Sequence, residues 1–140
     1  MVKYILKYLR LSLDDGGDGE SNSIENQRYI IDDYISAIPE FTNIPVLEFS
    51  DDGYTGTNFE RPGIKKLLEA VRCGEVSCIV VKDLSRFGRK YLEVSKYIEQ
   101  LFPYLGVRFI SVNDHYDSES HKGTTAEMDV PLRNVPLEKA

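Results

Sequence analysis

Two cysteines, Cys73 and Cys78, are all that the 140 residues supply. That is too few for a disulfide framework or a cysteine-rich metal cluster, so two reduced, partly buried thiols are expected. No uninterrupted apolar run approaches the roughly 20 residues needed to cross a bilayer. The N-terminus is broken by Lys3, Lys7 and Arg10 and has no small-residue cleavage site, so neither a leader peptide nor a membrane partner is expected. Histidine is scarce: His115 and His121 lie together, far in sequence from the serine discussed below, which argues against a Ser-His-Asp triad. Excess positive charge is lacking as well. The net charge of −6 argues against a general nucleic-acid-binding surface. There is no internal repeat and no low-complexity segment.

What is present fits one soluble domain with one core: 41% hydrophobic and 29% charged residues. Short apolar runs alternate with stretches of helical periodicity. "VKYILKYLRLS" (2–12) reads as a strand. A helix is expected from Asn22, with Asn22 and Glu25 forming a capping box, Ile24, Ile31, Tyr34, Ile35 and Ile38 recurring at helical spacing, and Pro39 ending it. "IPVLEFS" (44–50) reads as a second strand and 51–60 as a loop rich in turn residues. Pro62 suits the first turn of a second helix, whose face is Ile64, Leu67, Leu68 and Val71 and whose cap is Gly74. "SCIVVK" (77–82) is the most apolar strand, 83–90 a loop, about 91–102 a third helix and "VRFISV" (107–112) a fourth strand. Residues 113–140 are less regular. This order predicts a three-layer α/β/α domain with a mainly parallel central sheet. In such sheets ligands bind beyond the carboxyl ends of the strands, where the loops at 12–21, 51–60 and 83–90 should emerge.

On that edge Ser12 gains company from Arg10, Arg61, Arg86 and Arg89. Residues 82–96 hold Lys82, Arg86, Arg89, Lys90 and Lys96 against Asp83 and Glu93, a local basic patch on an acidic chain. Several arginines converging on one hydroxyl repel one another unless an anion such as a phosphodiester joins them. Guanidinium forks bind phosphate oxygens in bidentate fashion and stabilise charge that builds during phosphoryl transfer. The plainer reading of each is a solvated strand-end arginine beside a carboxylate, with Asp14, Asp15, Asp51, Asp52 and Asp83 on offer. Ser12 is then a turn residue, Gln27 a solvated helix residue and Thr55 a turn residue. A rival chemistry is a metal-dependent phosphotransfer or receiver-like domain, with Asp14, Asp15, Asp51 and Asp52 after strands one and two around Mg²⁺.

Five blocks, "YLRLS", "SNSIENQR", "FSDDGYTGTNFERPG", "CIVVKDLSRFGR" and "GVRFISVNDHYDS", stand in this order over about residues 2–118. Together they resemble the catalytic domain of the serine recombinases, the resolvase/invertase family, and most closely the large branch carried by phages and conjugative elements. The resemblance implies a resolvase-like catalytic domain at 1–118. A polar segment at 119–140 would lead toward a long helix and a DNA-binding region. The reaction implied is DNA cutting and rejoining through a covalent 5′-phosphoserine, in transposition, integration or excision of a mobile element, with no cofactor and no metal. Ser12 matches the nucleophile; Arg10, Arg61, Arg86 and Arg89 match the arginines that bind and activate the scissile phosphate. Gln27 matches a polar site residue, and Asp52 and Thr55 match the Asp-Gly-x-(Ser/Thr)-Gly turn supporting the site. The implied partners are double-stranded DNA, bound mainly outside this segment, and further copies of the protein, as a dimer and a synaptic tetramer. The implied location is the bacterial cytoplasm, at the nucleoid. One position departs from the family: small resolvases carry aspartate before the arginine that matches Arg86, and here Ser85 stands there. Asp83, two residues earlier, is the substitute for the acidic role, with a plain loop or cap residue as the alternative. A module of the same fold that has lost its chemistry is a third reading.

Overall fold

The computed structural model describes residues 3–11, 23–52 and 61–120. The first strand, β1 (Tyr4–Leu11), is buried along its central six residues. A strand covered on both faces is expected to be mainly apolar, and this one is, with Lys7 and Arg10 as its two charged residues. Its side chains alternate: Leu6 and Tyr8 enter one cluster, Ile5 and Leu9 the other. β1 is flanked in parallel by β2 (Val46–Asp52) and β3 (Val76–Val81). The sheet order is β2-β1-β3-β4-β5, with β4 (Arg108–Ser111) parallel to β3 and β5 (Tyr116–Asp117) antiparallel to β4.

Helix α1 (Ile24–Ser36) covers one face and packs Ile31 onto Ile5, Leu9, Cys78, Val80 and Ile110. The other face carries α2 (Pro62–Arg72), α3 (Leu84–Phe87), α4 (Tyr91–Ser95) and α5 (Phe102–Tyr104). Their residues Ile64, Leu67, Phe87, Val94 and Phe102 share a cluster with Leu6, Tyr8, Ile79 and Phe109. This is the expected three-layer arrangement. From β1 the chain steps to β2 on one side, then crosses to β3 on the other. The carboxyl end of β1 therefore sits where the strand order reverses, the place in an open α/β sheet where a crevice forms.

Several local expectations change. The cap of α1 is Ser23, whose hydroxyl accepts from the Asn26 amide at 3.0 Å, and not Asn22, which lies outside the described residues. The second strand starts later and runs on through Asp51 and Asp52, in register with Arg10 and Leu11. Its length is set by its neighbour, which two acidic residues in a row conceal. The segment 83–90 contains the short helix α3. The third helix is not uniform: a wider π turn at Lys96–Leu101 separates α4 from α5. Pro103 has no N–H for the Glu99 carbonyl and crowds it, which accounts for the widening. Residues 113–120 are ordered as a hairpin, turning through His115 at φ 55° into β5. Among the described residues no helix is long and apolar enough to cross a membrane.

Candidate active site at the carboxyl end of β1

Arg10, the penultimate residue of β1, lies on the strand face of Leu6 and Tyr8, and so points beneath α3. Arg61 is the N-cap residue of α2, and Arg86 belongs to α3. All three are almost wholly removed from solvent, at 0%, 1% and 3% exposure. Buried guanidinium groups call for hydrogen bonds, and for Arg10 and Arg61 the carbonyls at the end of α3 supply them. Arg10 donates from Nε to the Arg86 carbonyl at 3.1 Å and from Nη2 to the Ser85 carbonyl at 2.7 Å. Arg61 donates from Nη1 to the Arg86 carbonyl at 3.3 Å and from Nη2 to the Phe87 carbonyl at 2.7 Å. The last turn of a helix leaves such carbonyls without an internal partner, and they form its negative end. Arg86 returns the contact, donating from Nη1 to the Arg10 carbonyl at 2.6 Å.

Gln27 reaches the same strand end from α1. Its Oε1 accepts from the Arg10 amide at 3.0 Å and its Nε2 donates to the Arg10 carbonyl at 2.9 Å. Pairing of β1 with β3 stops at Lys7, so this carboxamide completes the hydrogen bonding of Arg10 as a neighbouring strand would. It is fully buried, not solvated. On the β2 side, the Tyr8 hydroxyl donates to Asp51 Oδ2 at 2.6 Å and accepts from Arg61 Nη1 at 3.1 Å. Asp51 also accepts from the Gly63 and Ile64 amides at 2.7 and 3.1 Å, which pins the start of α2 and with it Arg61.

The electrostatics follow from this burial. Desolvation, then the charges of Arg86 and Arg61, push the Arg10 guanidinium down to about 10, and Arg89 adds to the effect. Three like charges thus act on Arg10, which places half-buried Arg89 in the same cluster. Burial also lowers Arg61, against the opposing influence of Tyr8 and Asp51. The Tyr8 phenol is pushed far up by desolvation and by its bond to Asp51, against the pull of Arg61. Such a concentration of positive charge stabilises an oxyanion or phosphate brought to it.

The model of the resolvase N-terminal domain matches residues 5–128. The chain belongs to the resolvase family. The N-terminal catalytic domain of TP901-1 integrase is 23% identical, with a TM-score of 0.74 and 94% of each chain covered. A resolvase family site-specific recombinase from Streptococcus pneumoniae is 24% identical, with a TM-score of 0.66 over 93% of this chain and 83% of its own. Both share the fold. The C-terminal catalytic domain of ISC1926 TnpA, an IS607-like serine recombinase, is 28% identical, with a TM-score of 0.59 over 78% of this chain and 70% of its own. The chain is thus a catalytic domain of the serine site-specific recombinases, a family that acts on DNA and works as oligomers.

Within this resolvase domain, Arg10, Arg61, Arg86 and Gln27 are brought together, and Arg89 stands beside them. Ser12 and Thr55 lie outside the described residues; Ser12 follows Leu11, the last residue of β1, directly in the chain. Asp52 is exposed at the end of β2, and the buried carboxylate of that pair is Asp51. The sequence carried no signal for this choice: Tyr8 and Asp51 fall on one sheet face only once the register of β1 and β2 is known. Asp83 is half-buried just before α3, accepts from the Ser85 hydroxyl, and has an oxygen 3.7 Å from Arg86 Nε. The Ser85 side chain thus faces Asp83, while its carbonyl serves Arg10. Of the carboxylates considered for Mg²⁺, Asp14 and Asp15 lie outside the described residues and Asp51 is committed to Tyr8, Gly63 and Ile64. Among the described residues no three His, Cys, Asp or Glu side chains are grouped as a metal site.

Proposed function

We propose that this domain cuts and rejoins double-stranded DNA with Ser12 as nucleophile and Arg10, Arg61, Arg86 and Arg89 as the phosphate-binding and activating groups. The supporting observation is the convergence of three buried guanidinium groups at the carboxyl end of β1, one residue before Ser12. In the forward step the serine oxygen bonds to phosphorus, the bond from phosphorus to the 3′ oxygen breaks, and the departing oxygen takes a proton to become a 3′ hydroxyl. Religation is the reverse. The ester bond energy stays in the phosphoserine, so no nucleotide cofactor is needed. Charge on the five-coordinate phosphorus is met by the arginines, each contact worth on the order of 3 kcal/mol in the transition state. Arg10, pushed down to about 10 by burial and its arginine neighbours, exchanges a proton more readily than an ordinary guanidinium and is the proposed partner of the Ser12 proton. Asp83, through Ser85 and Arg86, and Thr55 play supporting parts; Asp52, exposed, contributes charge at the rim.

We further propose that residues 1–118 form the catalytic unit and that 119–140 lead to a dimer-forming helix and a DNA-binding region. A dimer and a synaptic tetramer would then be the working forms, in the bacterial cytoplasm at the nucleoid. The test is covalent joining. Full-length recombinase is given its recombination-site DNA, nicked at the crossover to trap the intermediate, with chelator present, and the products are run on a denaturing gel and by mass spectrometry. An adduct at Ser12, absent from Ser12→Ala, supports the reading. Firm DNA binding without an adduct, or cleavage that needs Mg²⁺, overturns it.

A further inference from the structure

The block "GVRFISVNDHYDS" contributes none of the residues placed in the site above, yet its Asp114 touches the element that seats the arginines. The Leu84 amide, the first of α3, donates to Asp114 Oδ2 at 2.8 Å, and the Ser111 hydroxyl donates to the same oxygen at 2.6 Å. Ser111 is fully buried. The turn that carries Asp114 is itself tied to the end of β3: the Val112 amide donates to the Val81 carbonyl at 3.0 Å, and the Asn113 amide donates to the Lys82 carbonyl at 2.8 Å. Asp83 holds the N-cap position of α3, but its side chain makes no capping bond and is turned to Ser85 and Arg86 instead. The capping duty has passed to a carboxylate thirty residues further along the chain.

We propose that Asp114, held by Ser111, is a positioning residue for the strand-joining reaction. Its carboxylate fixes the start of α3 and thereby the Ser85, Arg86 and Phe87 carbonyls that seat Arg10 and Arg61, and it leaves Asp83 free for Ser85 and Arg86. This rests on the recombinase reading. Without Asp114, the Leu84 amide loses the acceptor that ties the start of α3 to the turn after β4, and the Ser85 and Arg86 carbonyls lose that anchor.

Two measurements on Asp114→Ala, Asp114→Asn and wild type test this. The first needs no catalysis: hydrogen exchange at Arg10 Nε–H, followed by NMR, reads whether the bond to the Arg86 carbonyl persists. Asp114→Ala is expected to speed this exchange at least ten-fold, while Asp114→Asn, which keeps an acceptor oxygen, retains most of the protection. The second is the single-turnover rate of adduct formation at saturating DNA in full-length protein. It is compared with Phe41→Leu, a destabilised control packed on the opposite sheet face. A roughly ten-fold slower rate in Asp114→Ala, with DNA affinity unchanged and recovery in Asp114→Asn, supports positioning. Unchanged Arg10 exchange, or a rate no lower than in Phe41→Leu at equal melting temperature, overturns it. If Asp114→Ala does not fold, Ser111→Ala, which loosens the same carboxylate, is read by the same criteria. A wild type that forms no adduct sinks the recombinase reading, while the exchange arm still decides the seating of Arg10.

Discussion

Replacing Gly63 with alanine tests the tie between α2 and the site. A Cβ at this position would stand 2.7 Å from the Ser50 carbonyl oxygen, 2.8 Å from Asp51 Oδ2 and 3.0 Å from Asp51 Cγ. The Ser50 oxygen belongs to the backbone of the edge strand β2, which its pairing with Leu9 of β1 holds in place. Strain therefore falls on Asp51 and on the first turn of α2. Overpacking of this kind costs about 1–3 kcal/mol. Lengthening the charge-assisted bonds from the Gly63 and Ile64 amides to Asp51 adds about 1–2 kcal/mol. Against this, alanine in a helix returns only about 0.5–1 kcal/mol through chain entropy and propensity. The net expectation is a loss of about 2–3 kcal/mol, or a melting temperature lower by roughly 8–12 °C at about 4 °C per kcal/mol. Urea unfolding with an unchanged slope and calorimetry measure it. A variant as stable as wild type, or more stable by the propensity gain alone, would refute both the close approach and the role of Asp51 in holding α2.

Tyr8→Phe deletes the hydroxyl between Asp51 and Arg61 and leaves two buried charged groups short of a partner, so unfolding free energy should fall by about 1–3 kcal/mol in urea titration; no loss would mean that Arg61 is seated by the α3 carbonyls alone. Arg61→Lys cannot span Tyr8, the Arg86 carbonyl and the Phe87 carbonyl at once, and adduct yield should drop at least ~100-fold, as for loss of an oxyanion donor; activity within a few-fold of wild type would show that bidentate geometry is unimportant there. Cys78 is buried and its thiol is pushed up to about 12 by desolvation, whereas Cys73 is exposed. A thiol reagent at pH 8 should therefore modify Cys73 quickly and Cys78 only on unfolding; fast reaction of both would contradict the packing of β3. Because the folded thiol titrates above its ordinary range, the stability that neutral Cys78 contributes is complete below about pH 9 and declines as pH rises toward about 12.

The sheet was readable because β1 and β3 are mainly apolar and α2 keeps helical periodicity, at Ile64, Leu67, Leu68 and Val71. Features that depend on one strand's register against another were not. Asp51 and Asp52 are equivalent in sequence, and only pairing with Arg10 and Leu11 turns one inward and one outward. The same holds for Gln27, whose carboxamide substitutes for a strand partner that β3 does not provide. Short elements fixed by distant contacts were also hidden: α3 is capped by Asp114, and β5 exists only against Ile110 and Ser111. The arginines could be named from sequence as a set, but their burial under the end of α3 could not.

The seat of Arg10 and Arg61 is made of main-chain carbonyls, which every residue type possesses. Side-chain identity at 85 and 87 can therefore drift without unseating either guanidinium, provided the turn keeps its shape. Serine in place of aspartate at 85 is such a change: the side chain differs, and the carbonyl that Arg10 uses remains. A lineage can thus re-tune the acidity around its arginines one substitution at a time while the scaffold that seats them is inherited intact.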